Sequence, residues 1–120
     1  MAQHFDLGKQ GERIALQYLI NKGYIIHEKN WRYGKIEVDL IAEKDERIVF
    51  IEVKTRSTDF FGEPEEAVDK GKEQQLINGA QIFINRHQLE EEVRFDIISI
   101  ILNTEEVRVN HIEDAFTDAW

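Results

Sequence analysis

The sequence predicts an α/β fold in which helices cover both faces of one sheet, and three observations carry that prediction. The periodic segments run helix, three strands, helix, strands, an order that lets helices pack on either side of a sheet. In RIVFIEVKT, Ile48 and Phe50 alternate with Val49, Ile51 and Val53, so both faces are apolar, as in a central strand covered on both sides. A chain of 120 residues, 42% hydrophobic, has the size and apolar content of one compact domain, and a single domain over residues 1–120 is expected.

The elements follow in order. GERIALQYLINKG sets Ile14, Ala15, Tyr18 and Leu19 at helical spacing ahead of Gly23, predicting a first helix from about Leu7 to Lys22. YIIHEKN reads as a short strand, and GKIEVDLIAE and RIVFIEVKTR as two longer ones joined by a tight charged turn, together a three-strand meander. After Arg56 comes a loop, then a helix started at Pro64, with Gly71 as a point where it breaks in two and Leu76, Ala80, Phe83 and Ile84 as its apolar face. VRFDIISIIL and EVRVNHI read as two further strands, Glu90 to Glu92 as a solvated loop and EDAFTDAW as a short tail.

Composition narrows the functional classes. The chain contains no cysteine, which excludes disulfides and thiolate metal sites and fits a cytoplasmic protein. The apolar runs are strand-length and broken by charge, and no basic region followed by a hydrophobic one opens the chain, so neither a signal peptide nor a membrane span is expected. The net charge of −9 argues against a polyanionic partner, but residues 1–60 hold ten basic and ten acidic side chains, whereas residues 61–120 hold five and fourteen. A nucleic-acid site therefore belongs to the first half. There, KNWRYGK sets Lys29, Arg32 and Lys35 around Trp31 with Tyr33, a mixture suited to phosphate contact and base stacking, or else an ordinary polar connection.

The stretch EVDLIAEKDERIVFIEVK carries the chemistry. With a turn centred on Asp45 and Glu46 and Lys44 opposite Arg47, antiparallel pairing sets Asp39 opposite Glu52 and Glu37 opposite Lys54, all four on one face. Opposed Cβ atoms lie about 4.5–5.5 Å apart, so two carboxylates there repel unless a cation sits between them. Oxygen ligands of this kind suit Mg²⁺ or Mn²⁺. His4, His27, His87 and His111 show no metal-ligand spacing.

The ordered series GERIA, NWRY, GKIEVDLIA, VFIEVKTR, FGEPEEAV with Lys72, and RFDIISI resembles the bacterial YraN family of endonuclease-like proteins, within the PD-(D/E)XK nuclease superfamily. That family is in turn similar to archaeal Holliday junction resolvases. The resemblance covers about Leu7 to Phe116. It implies a restriction-endonuclease-like three-layer α/β/α fold with a central mixed β-sheet, and a Mg²⁺- or Mn²⁺-dependent endonuclease acting on branched or otherwise structured DNA as a homodimer. It implies Asp39 and Glu52 as metal ligands with the Val53 carbonyl as a third, and Glu37 as an outer or second-metal carboxylate. Lys54 is implied as the residue that orients water or neutralises transition-state charge, with Glu12 reaching the site from the first helix. One departure is that GKIEVD places Lys35 and Ile36 between Gly34 and Glu37, where the motif commonly has Gly directly before Glu.

Other readings of the same residues stay open. Glu52 and Lys54 alone read as a solvated ion pair, and Glu12 alone as an acid favoured by the helix dipole. Arg56, Lys72 and Arg94 suit either a phosphate track or surface ion pairs. A non-catalytic nucleic-acid or protein-binding module on a nuclease fold is the alternative function, and the acidic second half favours it.

Overall fold

The computed structural model describes residues 6–60 and 62–117. Helix α1 (Leu7–Asn21) leads into β1 (Ile25–Tyr33), β2 (Ile36–Lys44) and β3 (Arg47–Arg56); a 3-10 turn (Pro64–Ala67) and helix α2 (Lys70–His87) then cross to β4 (Glu92–Leu102) and β5 (Val107–Phe116). The strands stand in sequence order, β1-β2-β3-β4-β5, antiparallel throughout except for the parallel pair β3–β4. This mixed sheet between two helices has the three-layer, restriction-endonuclease-like arrangement, with β3 at its centre.

Each layer follows from local chemistry. Asp6 caps α1 by accepting the Lys9 N–H at 3.0 Å, and Gly23 at φ 91° takes the left-handed conformation that ends the helix. The β2–β3 turn places Asp45 at φ 51° and Glu46 at φ 61°, the mirror-type turn whose twist suits a hairpin, and it sets Lys44 opposite Arg47 as predicted. Period-two alternation along β3 sends Val49 and Ile51 into a core with Ala15 and Leu19 of α1, and Ile48 and Phe50 into a second core with Leu76, Ala80 and Phe83 of α2. Each such side chain contributes roughly 1.5–3 kcal/mol by burial.

The boundaries differ from expectation in four places. KNWRYGK is not a connection: β1 runs through it to Tyr33, because Trp31 packs edge-to-face on Phe83 with centroids 5.7 Å apart. The break before the long helix falls at Val68 and Asp69 rather than at Gly71, since the Asp69 side chain caps α2 by accepting the Lys72 N–H at 2.9 Å. Glu92 belongs to β4, and the expected tail continues as strand to Phe116, which stacks on Phe95. His4 and the last residues of that expected tail, 118–120, lie outside the described residues.

A buried polar cluster fastens the far side of the sheet to α1. Asp96, fully buried on β4, accepts from Arg94 Nε and Nη2 at 2.9 Å each, from His111 Nε2 at 2.7 Å and from the Asp114 N–H at 3.0 Å. Burial alone drives its pKa upward, but the His111, Arg94 and Asp114 hydrogen bonds outweigh that and hold it below the usual value. His111 Nδ1 meets the Tyr18 hydroxyl of α1 at 3.1 Å. Arg94 is therefore an ion-pair partner of Asp96, the second of its two sequence readings. Among the described residues no helix is long and apolar enough to cross a membrane.

Candidate metal centre

The site is built where β2 and β3 part. Their ladder runs from Lys44–Arg47 to Leu40–Ile51 and stops there. Beyond it, the carboxylate of Asp39 replaces a backbone acceptor: its Oδ2 takes the Val53 N–H at 2.8 Å. A local change of alternation permits this. Val38 belongs to the α2-side core, yet Leu40 belongs to the α1-side core. The register places Asn30 between the Lys29–Leu40 and Trp31–Val38 pairs, and Asn30 has φ 51°. A short polar side chain is among the few that tolerate this conformation within a strand.

Glu52 follows Ile48 and Phe50 along β3 and is only 4% exposed. Burial, followed by a hydrogen bond donated to Asp39 and charge repulsion with it, pushes its pKa up to about 9, against the weaker pull of Lys72 and Lys54. Two carboxylates hydrogen-bonded to one another must share a proton, so the metal-free pair carries about one negative charge rather than two. Glu12 faces the pair from α1. Its pKa is raised, first by burial and then by Asp39, Asp6 and Glu37, with Lys9 opposing. Gly11 lets the helix come this close: a Cβ built there would collide with the Thr55 hydroxyl and lie 2.8 Å from Thr55 Cβ.

An open cleft of about 320 Å³ is lined by Lys9, Glu12, Asp39, Val53, Lys54 and Arg56, and a second of about 240 Å³ adjoins it at Glu12 and Asp39, with Lys29 and Arg13 in its wall. Among the described residues no three His, Asp or Glu side chains are gathered closely enough to hold an ion by themselves. The donor set nevertheless fits Mg²⁺ or Mn²⁺, because such ions keep several waters and are held by one or two carboxylates together with substrate phosphate oxygens. Asp39 and Glu52 are hard oxygen donors of that kind.

Comparison with known proteins places these residues in a family. A model described as "Uncharacterised protein family UPF0102" matches residues 11–100. The chain belongs to UPF0102, the YraN family. It is similar to a UPF0102 protein of Bacteroides thetaiotaomicron, 44% identical over 97% of this chain and 96% of that one. A UPF0102 protein of Christiangramia forsetii is 47% identical over 97% and 98%, and one of Flavobacterium psychrophilum 43% identical over the same shares.

Within this UPF0102 chain the sequence-predicted residues divide into groups. Asp39, Val53, Lys54, Glu12 and Arg56 line the cleft, and Glu52 is buried behind it against Asp39. Glu37 turns away: its carboxylate is 3.0 Å from Arg32 across β1–β2, both side chains exposed, so the expected Glu37–Lys54 pairing is not formed. Trp31 is half-buried against Phe83 and stacked on Tyr33 at 6.5 Å, a packing role. Lys29 and Lys35 are exposed, and Lys72 sits on the α2 side with its Nζ 3.6 Å from Glu52 Oε2. Sequence reasoning missed Lys9, whose signal was its place three residues before Glu12 on the helix, and it gave Asp96 no role, although a lone acid inside RFDIISIIL marks a buried polar cluster.

Proposed function

We propose that this UPF0102 chain is a metal-dependent endonuclease that hydrolyses DNA phosphodiester bonds, acting on branched or otherwise structured DNA. The observation that supports it best is the pair of touching carboxylates, Asp39 and Glu52, with Lys54 two residues on and Glu12 across the cleft. Structural ion pairs combine opposite charges; a buried acid hydrogen-bonded to a half-buried one suits a divalent cation instead.

In this reading Asp39 and Glu52 hold Mg²⁺ or Mn²⁺, with the Val53 carbonyl as a further ligand. The ion, when bound, supplies Lewis-acid stabilisation of phosphate charge and a more acidic water. Lys54 presents a compact positive charge to a non-bridging phosphate oxygen; among the described residues it makes no ion pair of its own. Glu12, with its raised pKa, is suited to exchange a proton with water in the cleft. In this reading Lys9, Lys29 and Arg56 follow the DNA backbone, contacts that fix position rather than read bases, so recognition is by shape. Paired incision of a branch requires two such sites, as a homodimer supplies.

The test is cleavage of a four-way junction, a flap and a linear duplex in Mg²⁺ or Mn²⁺. Asp39→Asn, whose side-chain oxygen still accepts from Val53, and Lys54→Ala are each expected to lose activity by on the order of 10³-fold with unchanged circular dichroism. Full activity in either variant overturns the assignment. One observation favours the non-catalytic module instead: Lys72 already faces Glu52 and partly balances its charge without an ion. DNA binding without divalent-ion binding would select that reading.

A further inference from the structure

The ammonium of Lys72 lies 3.6 Å from Glu52 Oε2 and 3.5 Å from the Glu37 carbonyl oxygen. Both distances are long for a charge-assisted hydrogen bond, which runs about 2.7–2.9 Å. The position is nevertheless built. Lys72 stands in the first turn of α2, its backbone N–H fixed by the Asp69 cap at 2.9 Å, and its side chain is 26% exposed. Glu52, its partner, is 4% exposed and already in contact with a second carboxylate. A cation is thus held at fixed height on a flexible stem beside the more buried acid of the Asp39–Glu52 pair, in loose contact that costs little to break.

Resting on the metal-centre reading above, we infer that Lys72 is a positioning residue that serves as the built-in counter-ion of the Asp39–Glu52 pair and is displaced when a divalent ion binds. A monovalent ammonium and a divalent cation cannot both occupy the space beside one carboxylate without repulsion. Lys72 therefore keeps the acidic pair tolerable in the metal-free protein and weakens metal binding by the same interaction. Once displaced, the ammonium on its four-carbon stem is left to pair with another anion, and a substrate phosphate oxygen is a natural partner. Metal and DNA then favour one another through a shared residue, a reciprocal coupling. A role in DNA contact alone, the track expected for Lys72 from the sequence, predicts no effect on the metal when DNA is absent.

The experiment is calorimetric titration of Mn²⁺, without DNA, into the wild-type protein, Lys72→Met, Lys72→Arg and Asp39→Asn, with folding of each checked by circular dichroism. Removing the competing charge is expected to tighten Mn²⁺ binding in Lys72→Met by about tenfold, the equivalent of about 1.4 kcal/mol. Lys72→Arg, which keeps the charge, is expected to stay close to wild type, and Asp39→Asn to lose binding. Unchanged or weaker binding in Lys72→Met, with Asp39→Asn still defective, overturns the counter-ion role and leaves the metal centre standing. Absence of Mn²⁺ binding in both wild type and Lys72→Met overturns both. Binding that emerges only in Lys72→Met supports the inference in its strongest form.

Discussion

Protonation of the Asp39–Glu52 pair ties stability to pH. Burial and Asp39 push the pKa of Glu52 in the folded chain up to about 9, against the ordinary value of 4.5 for the unfolded chain. Across that window the folded state binds more protons, so stability falls as pH rises, by at most about 1.4 kcal/mol per pH unit. The thermal midpoint of the metal-free protein is expected to drop between about pH 5 and about pH 9, and Glu52→Gln to flatten the profile. A flat wild-type profile contradicts the shared proton. The residue types at this pair were legible in the sequence because a carboxylate inside an otherwise apolar strand is conspicuous. The fate of Glu37 was not, since strand parity alone does not say that Arg32 on the neighbouring strand lies 3.0 Å away.

At the scale of elements, the closeness of α1 to β3 decides whether Glu12 reaches the cleft. Gly11 packs on Thr55 with no room for a methyl group. Gly11→Ala is expected to destabilise the fold by about 1–3 kcal/mol in denaturant titration and to move Glu12 away from Asp39. Stability equal to wild type would mean that the helix shifts freely and that its approach is not fixed here. The sequence located both helices, the hairpin and its register from the turn to Leu40–Ile51, because those signals are local: a cap, a periodicity, a two-residue turn. It placed β1 too short and β5 too short for a shared reason. Trp31 and Phe116 belong to strands because of rings distant in sequence, Phe83 and Phe95. Packing of that kind leaves no local mark.

Across the whole molecule, the Asp96 cluster joins the first element to the last by linking β4 and β5 to Tyr18 of α1. Asp96→Ala leaves Arg94, only 14% exposed, without its main partner, and a loss of about 3–5 kcal/mol is expected in chemical denaturation. A loss below about 1 kcal/mol would show the cluster to be ornamental rather than structural. The charge asymmetry of the chain also acquires a location. Glu90, Glu91 and Glu92 gather with Asp45 and Glu46 at the start of β3, whereas the metal-centre residues lie at its other end. Sequence counting gave the imbalance but not its distance from the cleft, because that distance depends on the one parallel crossover in the sheet. The same crossover orders events in time. Glu12, Asp39, Glu52 and Lys54 all belong to α1 and the meander, whose pairings close short loops, whereas the β3–β4 pair waits on the segment from Arg56 to Glu92. Short closures precede long ones, and a ribosome delivers the N-terminal half first. The acidic pair is therefore expected to be outlined in the nascent chain before α2 brings Lys72 to it.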